Sequence, residues 1–304
     1  ENQQRWVWTG VSSGADTILF WCWRDEVFGS ESSGFGLAGA DGLAEPRLAA
    51  MRKTSDLMSA YKEELASYMP HTPAVGVYFS PQSYYLHWNQ EGDSGLPQNA
   101  ILGYTRALLR NQIPYTIIEE EHLDSLEDVD ILFMPRALVI DEDQAVALSE
   151  WVEGGGTLVT EAECGAFGRN GLYRYPGERL VAELTGVTEL GRRKLDGNSV
   201  TVQLDGATLN LPARQWLAPL SGEGGEAFGL HPDGPLFLSV PAGEGRVVFC
   251  GTYMGDAYFD GSSSGESEYA PYAADFERFI AALVQEAGIE MPALVLSPEG
   301  EAAR

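Results

Sequence analysis

The chain has 304 residues, with 45 Asp and Glu against 19 Lys and Arg, a formal net charge of −26. Nucleic acid and anionic membrane surfaces both demand a basic face, so this composition argues against either as a partner. No run of eighteen apolar residues marks a membrane span, and no metal or cofactor is implied. Cys22, Cys164 and Cys250 are far apart and lack CxxC spacing. That argues against a disulfide scaffold or an internal zinc site, and for a reducing, cytoplasmic setting.

The chain opens on Glu1 without a basic-plus-apolar leader, and is expected to be a processed or truncated product. Trp6, Val7, Trp8 and Val11 suit a first helix. Ala15 to Trp23 is a near-continuous apolar run, the pattern of a parallel strand covered on both faces. Trp21, within the run, is assigned to the core, and Trp23, beside the following loop, to a pocket wall. That loop carries Arg24, Asp25, Glu26 and then Gly29-Ser30-Glu31, at the strand end where α/β folds collect their chemistry. Pro46 opens a helix running to Met69. Leu48, Met51, Leu57, Met58, Tyr61 and Leu65 recur in it at helical spacing.

His71-Thr72-Pro73 marks a domain boundary. Beyond it the pattern alternates. Residues 74–79 read as a strand, 80–95 as a long aromatic loop with Tyr84, Tyr85 and Trp88, and 97–111 as a helix. Strands follow at 115–118 and 130–134. A helix over 141–152 has acids in its first turn, where the dipole favours them; it ends at Gly154-Gly155-Gly156, before a strand at 157–160. This alternation calls for a mostly parallel sheet with helices on both faces. Residues 172–241, punctuated by Gly and Pro, read as a β-rich insertion. A strand at 246–250, a loop at 261–268 and a helix at 271–287 complete the pattern. The last helix buries Phe276, Phe279, Ile280 and Leu283 and stops at Gly288.

The first segment resembles the end of the catalytic barrel in family 42 glycoside hydrolases, β-galactosidases with a trimerisation domain. The matching positions are Gly14-Ala15-Asp16, Trp23-Arg24, Gly29-Ser30-Glu31 and Asp41-Gly42. The family often has a His three residues after that Glu; Gly34 stands here, which leaves sugar preference open. The rest resembles the family's trimerisation domain, a flavodoxin-like or amidotransferase-like fold, through Gly155-Gly156-Thr157-Leu158-Val159, the stretch from Gly243 to Thr252, and Pro298-Glu299-Gly300.

The resemblance implies three regions. Residues 1–70 would be the last β/α segment of a (β/α)8 barrel, 71–296 a trimerisation domain, and 297–304 a linker or the start of a C-terminal β-domain. A barrel needs roughly 250 residues, so the missing barrel portion is expected upstream or on another chain. The implied parent is a retaining glycosidase acting on terminal β-galactosides or related β-glycosides, and a homotrimer. Its catalytic glutamates belong to earlier barrel strands, so no catalytic residue is expected in this chain. Trp23, Arg24 and Glu31 are the expected substrate-binding residues; Arg24 equally suits a structural ion pair, and Glu31 a solvated loop acid.

Two other readings stand beside this one. The chain suits a stand-alone, non-catalytic assembly or sugar-binding protein. Glu163-Cys164-Gly165, after a strand, also suggests a cysteine hydrolase. However, Ala162 breaks the Gly-x-Cys-x-Gly elbow, and His71, His87, His122 and His231 offer no recognisable pairing.

Overall fold

The computed structural model describes residues 2–30, 32, 36–39, 42, 44–70, 72–222 and 224–290. Glu31, one of the expected site residues, lies outside the described residues, as does Pro298-Glu299-Gly300. The chain divides into two compact units, Glu1–Thr72 and Pro73–Arg304.

The first unit holds helices α1 (Asn2–Ser12), α2 (Glu45–Ala60) and α3 (Lys62–Ser67). Residues 15–23 are a correction to the sequence reading, because they form no strand. Leu19, Trp21 and Trp23 are 91%, 73% and 68% exposed, so Trp21 is not a core residue. The physical reason is pairing. A strand's N–H and C=O groups need neighbouring strands, and among the described residues the first unit has none to offer. Apolar patterning specifies which residues a strand would bury, but it does not supply the ladder.

The second unit opens with β1 (Val75–Phe79), α4 (Pro81–Glu91), α5 (Gly95–Arg110), β2 (Thr116–Glu119), β3 (Ile131–Met134), α6 (Glu142–Glu153) and β4 (Thr157–Thr160). There follow α7 (Leu180–Thr185) and four two-residue strands: β5 (Thr188–Glu189), β6 (Arg193–Lys194), β9 (Trp216–Leu217) and β10 (Leu220–Ser221). Between the second and third of these run β7 (Ser199–Leu204) and β8 (Ala207–Pro212). Strands β11 (Glu226–His231), β12 (Gly234–Ala242) and β13 (Gly245–Cys250), then helices α8 (Gly255–Ser263) and α9 (Ala273–Glu286), complete the unit.

The described residues form one nine-stranded sheet in the order β2-β1-β3-β4-β13-β12-β11-β7-β8. From β2 to β13 the pairings are parallel. From β13 to β8 they are antiparallel. The α/β class is as expected. The β-rich stretch is not a separate insertion, however: β7, β8, β11 and β12 extend the main sheet and make it mixed. None of the described residues between 14 and 47 joins this sheet.

Burial explains the change of hand. In β3, Ile131 and Phe133 enter a core shared with α5 and α9, while Leu132 and Met134 enter the opposite core, which α6 and α7 contribute to. Parallel strands joined by crossover helices have both faces covered. In β7 buried and exposed residues alternate, as an antiparallel strand with one wet face should. Helix α9 supplies Phe276, Phe279, Ile280 and Leu283, all at most 1% exposed; each such side chain contributes about 1.5–3 kcal/mol by leaving water.

Residues 80–95 are a second correction. Pro81–Glu91 is helical, not a loop. Ser80 accepts a hydrogen bond from the Ser83 amide at 3.1 Å, Pro81 occupies the first turn, and Gly92 closes the helix in the left-handed region. These cap signals outweigh the aromatic content. The loop expected from Gly261 begins later, because α8 extends to Ser263.

Candidate functional site

Two places in the molecule gather chemistry. The first is the segment after residue 20. The Leu37 and Ala38 amides donate to the Cys22 and Trp23 carbonyls, both at 2.8 Å. The Gly36 amide donates to the buried Asp25 carboxylate. This clamp fixes the backbone and leaves Trp23 and Arg24 adjacent and exposed. A flat indole and a fixed fork of donors, side by side, suit a polar ring. Val27 and Phe28, 69% and 86% exposed, continue the apolar surface.

The second place lies at the carboxyl ends of β3, β4 and β13. Arg136 follows β3 at φ 46° and is 1% exposed. Its Nε donates to Asp256 Oδ1 at 3.0 Å and its Nη1 to Gln215 Oε1 at 2.9 Å; its guanidinium lies 3.8 Å over the Tyr253 ring. Arg214 Nη1 sits 2.9 Å from the other Asp256 oxygen. Glu161, directly after β4, accepts from the Met254 and Gly255 amides at 2.8 Å, from the Tyr104 hydroxyl at 3.2 Å and from the Arg136 amide at 3.1 Å. It thereby caps the amino end of α8, where the helix dipole favours an anion. Burial pushes the Glu161 carboxyl up, against the opposing pull of Arg136 and the amide donors. For Arg136, burial works against the charge, yet Asp256 and its other partners hold the guanidinium above its ordinary value. Both guanidiniums pair with Asp256, and Glu161 is held by amide and hydroxyl donors. The arrangement clasps three strand ends together and leaves no free base or nucleophile.

Two residues beyond Glu161, Glu163 stands at φ 61°. A sharp turn of this kind after a strand is where hydrolases of other folds display a nucleophile. Here the strained position holds Glu163, and Cys164 falls one residue beyond it, in the core at 2% exposure. Burial pushes the Cys164 thiol up to about 12. His122 pairs with Glu119, His231 accepts from the Asp233 amide, and the buried His87 Nε2 has no partner, so none of these three serves Cys164 as a base. His71 lies outside the described residues. Iodoacetamide applied to the native protein at neutral pH is accordingly expected to leave Cys164 unlabelled until urea unfolds the chain, as mass spectrometry of its tryptic peptide would show. Rapid native labelling would restore Cys164 as a nucleophile.

Of the expected substrate-binding residues, Trp23 and Arg24 are described, and both are exposed. Sequence reasoning missed Arg136, Glu161, Glu163 and Asp256. The local signal was faint: acids at 161 and 163 after a buried strand, and Asp256 shortly after the strand ending at Cys250. Among the described residues, no group of His, Cys, Asp and Glu is arranged to hold a metal, and no helix is long and apolar enough to cross a membrane.

Comparison with known proteins adds a family. Residues 74–264 match the family described as the beta-galactosidase trimerisation domain. The chain is 25% identical over 262 residues to beta-galactosidase BgaH of Haloferax lucentense, covering 84% of this chain and 38% of that protein. It is 20% identical over 257 residues to beta-galactosidase BgaA of Clostridium cellulovorans, covering 82% of this chain and 38% of that protein. The structure of Gan42B, a GH42 beta-galactosidase from G. stearothermophilus, superposes with a TM-score of 0.75 at 18% identity, over 97% of this chain and 41% of that one. The chain thus spans well under half the length of the relatives it matches.

Proposed function

Because the chain belongs to the β-galactosidase trimerisation domain family, within family 42 glycoside hydrolases, we propose that it is the C-terminal part of a retaining glycosidase. In this reading residues 1–70 are the closing β/α element of a (β/α)8 barrel, and Trp23, Arg24 and Glu31 form one wall of its sugar pocket. The α/β unit carries the oligomer contact, in the flavodoxin-like or amidotransferase-like manner, and three copies associate. The substrate is a terminal β-galactoside or a related β-glycoside.

One observation carries the reading. Residues 15–23 have the composition of a fully buried strand but stand without strand partners, with Leu19, Trp21 and Trp23 turned to solvent. Staves on either side would complete the hydrogen-bond ladder and cover these side chains. The resulting cylinder would bring Trp23 and Arg24 to its carboxyl-end face. The chemistry itself would need two carboxylates about 5 Å apart, one acting as acid and base and the other as nucleophile; both are assigned to the barrel portion outside this chain.

The test is hydrolysis of an aryl β-galactoside. The 304-residue chain alone is expected to show none, and the longer polypeptide with barrel sequence ahead of residue 1 to turn it over. In that longer protein Trp23→Ala and Arg24→Ala are each expected to lower kcat/KM by about 10–100-fold, an effect of about 1.4–2.8 kcal/mol on the transition state. Strong hydrolysis by the 304-residue chain alone, or full activity in both variants, would overturn the assignment.

A further inference from the structure

The α/β unit holds a cleft of about 400 Å³ that the reading above does not use. Glu163, Tyr173, Arg179, Glu189 and Arg192 all contribute to its lining. It opens beside the strained turn that follows β4, at the strand end where α/β sheets bind ligands. The Glu163 carboxylate takes a two-point contact from Arg192, with Nε at 2.8 Å and Nη2 at 3.1 Å, and a third bond from the Tyr253 hydroxyl at 2.8 Å. The Glu189 carboxylate accepts from the Glu163 amide at 2.6 Å and pairs through its other oxygen with Arg179. Arg179, 2% exposed, also donates to the Tyr173 hydroxyl at 2.9 Å.

Three features define what would bind. The two guanidiniums and two carboxylates balance, so the floor has no net charge to offer an ion; a charged ligand would unbalance the Arg179–Glu189 pair, which is already desolvated. The floor presents acceptors and donors side by side, with Arg192 Nη1 left over from the contact to Glu163. Vicinal hydroxyls, each both donor and acceptor, satisfy such a surface. The rim is aromatic: Tyr173 is 49% exposed and packs edge-on against Phe167, 5.5 Å between ring centres. Arg192, its side chain 57% exposed, lies 3.7 Å over the Trp216 ring and closes the opposite side. An aromatic face takes the C–H face of a saccharide ring while the charged floor takes its hydroxyls. The volume falls within the range of small-molecule sites.

We infer that this cleft is a second carbohydrate-binding site, separate from the Trp23–Arg24 wall, that takes a single neutral pyranose. Glu163 is held at its strained φ by the Glu189 carboxylate on its amide, which fixes its own carboxylate as the acceptor at the floor. Arg192 is the donor, and Tyr173 the platform. The site binds and does not cleave, because Glu163 and Glu189 are each tied to an arginine and are the only acids lining the cleft among the described residues.

The experiment is calorimetric titration of the 304-residue chain with galactose, methyl β-galactoside and glucose. Saturable binding in the millimolar range is expected for at least one of them. Tyr173→Ala and Arg192→Lys, the latter keeping a positive charge beside the buried Glu163 carboxylate, are each expected to weaken it by about tenfold or more. Trp23→Ala is expected to leave it intact. The inference fails if none of the three sugars gives saturable binding, or if both cleft variants bind as the parent does. It also fails if Trp23→Ala abolishes binding, which would place the sugar on the loop of the first unit. Because no readout depends on hydrolysis, the site can stand or fall independently of the glycosidase reading.

Discussion

Arg136→Met is expected to lower the stability of the α/β unit by about 3–5 kcal/mol, the usual cost of removing one partner from a buried ion pair. Methionine fills much of the same volume, so the loss is electrostatic more than steric. Asp256, fully buried, would keep only Arg214. Glu161 would lose the one opposing charge that makes its burial tolerable, and Gln215 would lose its donor. The measurement is urea unfolding of the 304-residue chain, followed by tryptophan fluorescence. Arg136→Met combined with Asp256→Leu should recover part of the loss, since a paired deletion leaves fewer stranded charges. A loss under about 1 kcal/mol for the single variant, well below the cost expected for a broken buried pair, would mean that water already reaches the cluster and that the strand ends are not clasped by it.

This cluster also shows where a sequence stops being readable. Helix α9 and strand β3 were legible because their burial follows a local period: 3.6 residues for Phe276, Phe279, Ile280 and Leu283, and an unbroken apolar run for residues 131–134. The Arg136–Asp256 pair joins residues 120 apart, and no local pattern encodes it. The same holds for β7, β8, β11 and β12. They fall almost wholly in the stretch read as β-rich, but only their non-local pairing shows that they widen the main sheet. Helix α4 was readable from its Ser80-Pro81 start and Gly92 stop, and its aromatics misled. Helix α8 carries Gly255, Gly261 and two serines, poor helix formers that local propensity rejects; it forms because it packs on α5. Residues 15–23 fail in the opposite direction, with a strong local signal whose partner strands are absent from the described structure. At the candidate site, Trp23 and Arg24 were legible from a motif, whereas the cleft at Glu163 depends on Arg179, Glu189 and Arg192, which only folding assembles.

Gly103→Ala is expected to destabilise the α/β unit by about 3 kcal/mol or more, the upper range for overpacking a tight interior. On an exposed helix the same change would stabilise by about 1 kcal/mol through helix propensity, so packing must reverse the sign. A Cβ on Gly103 would lie 2.0 Å from the Gly255 carbonyl oxygen, which is backbone and cannot rotate aside. The contact is mutual, since a Cβ on Gly255 would lie 2.7 Å from the Ala100 carbonyl and 2.8 Å from the Tyr104 ring. Helices α5 and α8 therefore touch backbone to backbone, and the only relief is to move α8 outward. That movement draws the Met254 and Gly255 amides off Glu161 and strains the Arg136–Asp256 pair, so the methyl group's effect reaches the strand-end cluster. In a domain of this size about 3 kcal/mol corresponds to a fall of about 6–12 °C in thermal midpoint, readable by circular dichroism. A Gly103→Ala protein as stable as the parent would show that α8 is not held against α5, and the capping role given to Glu161 would fall with it.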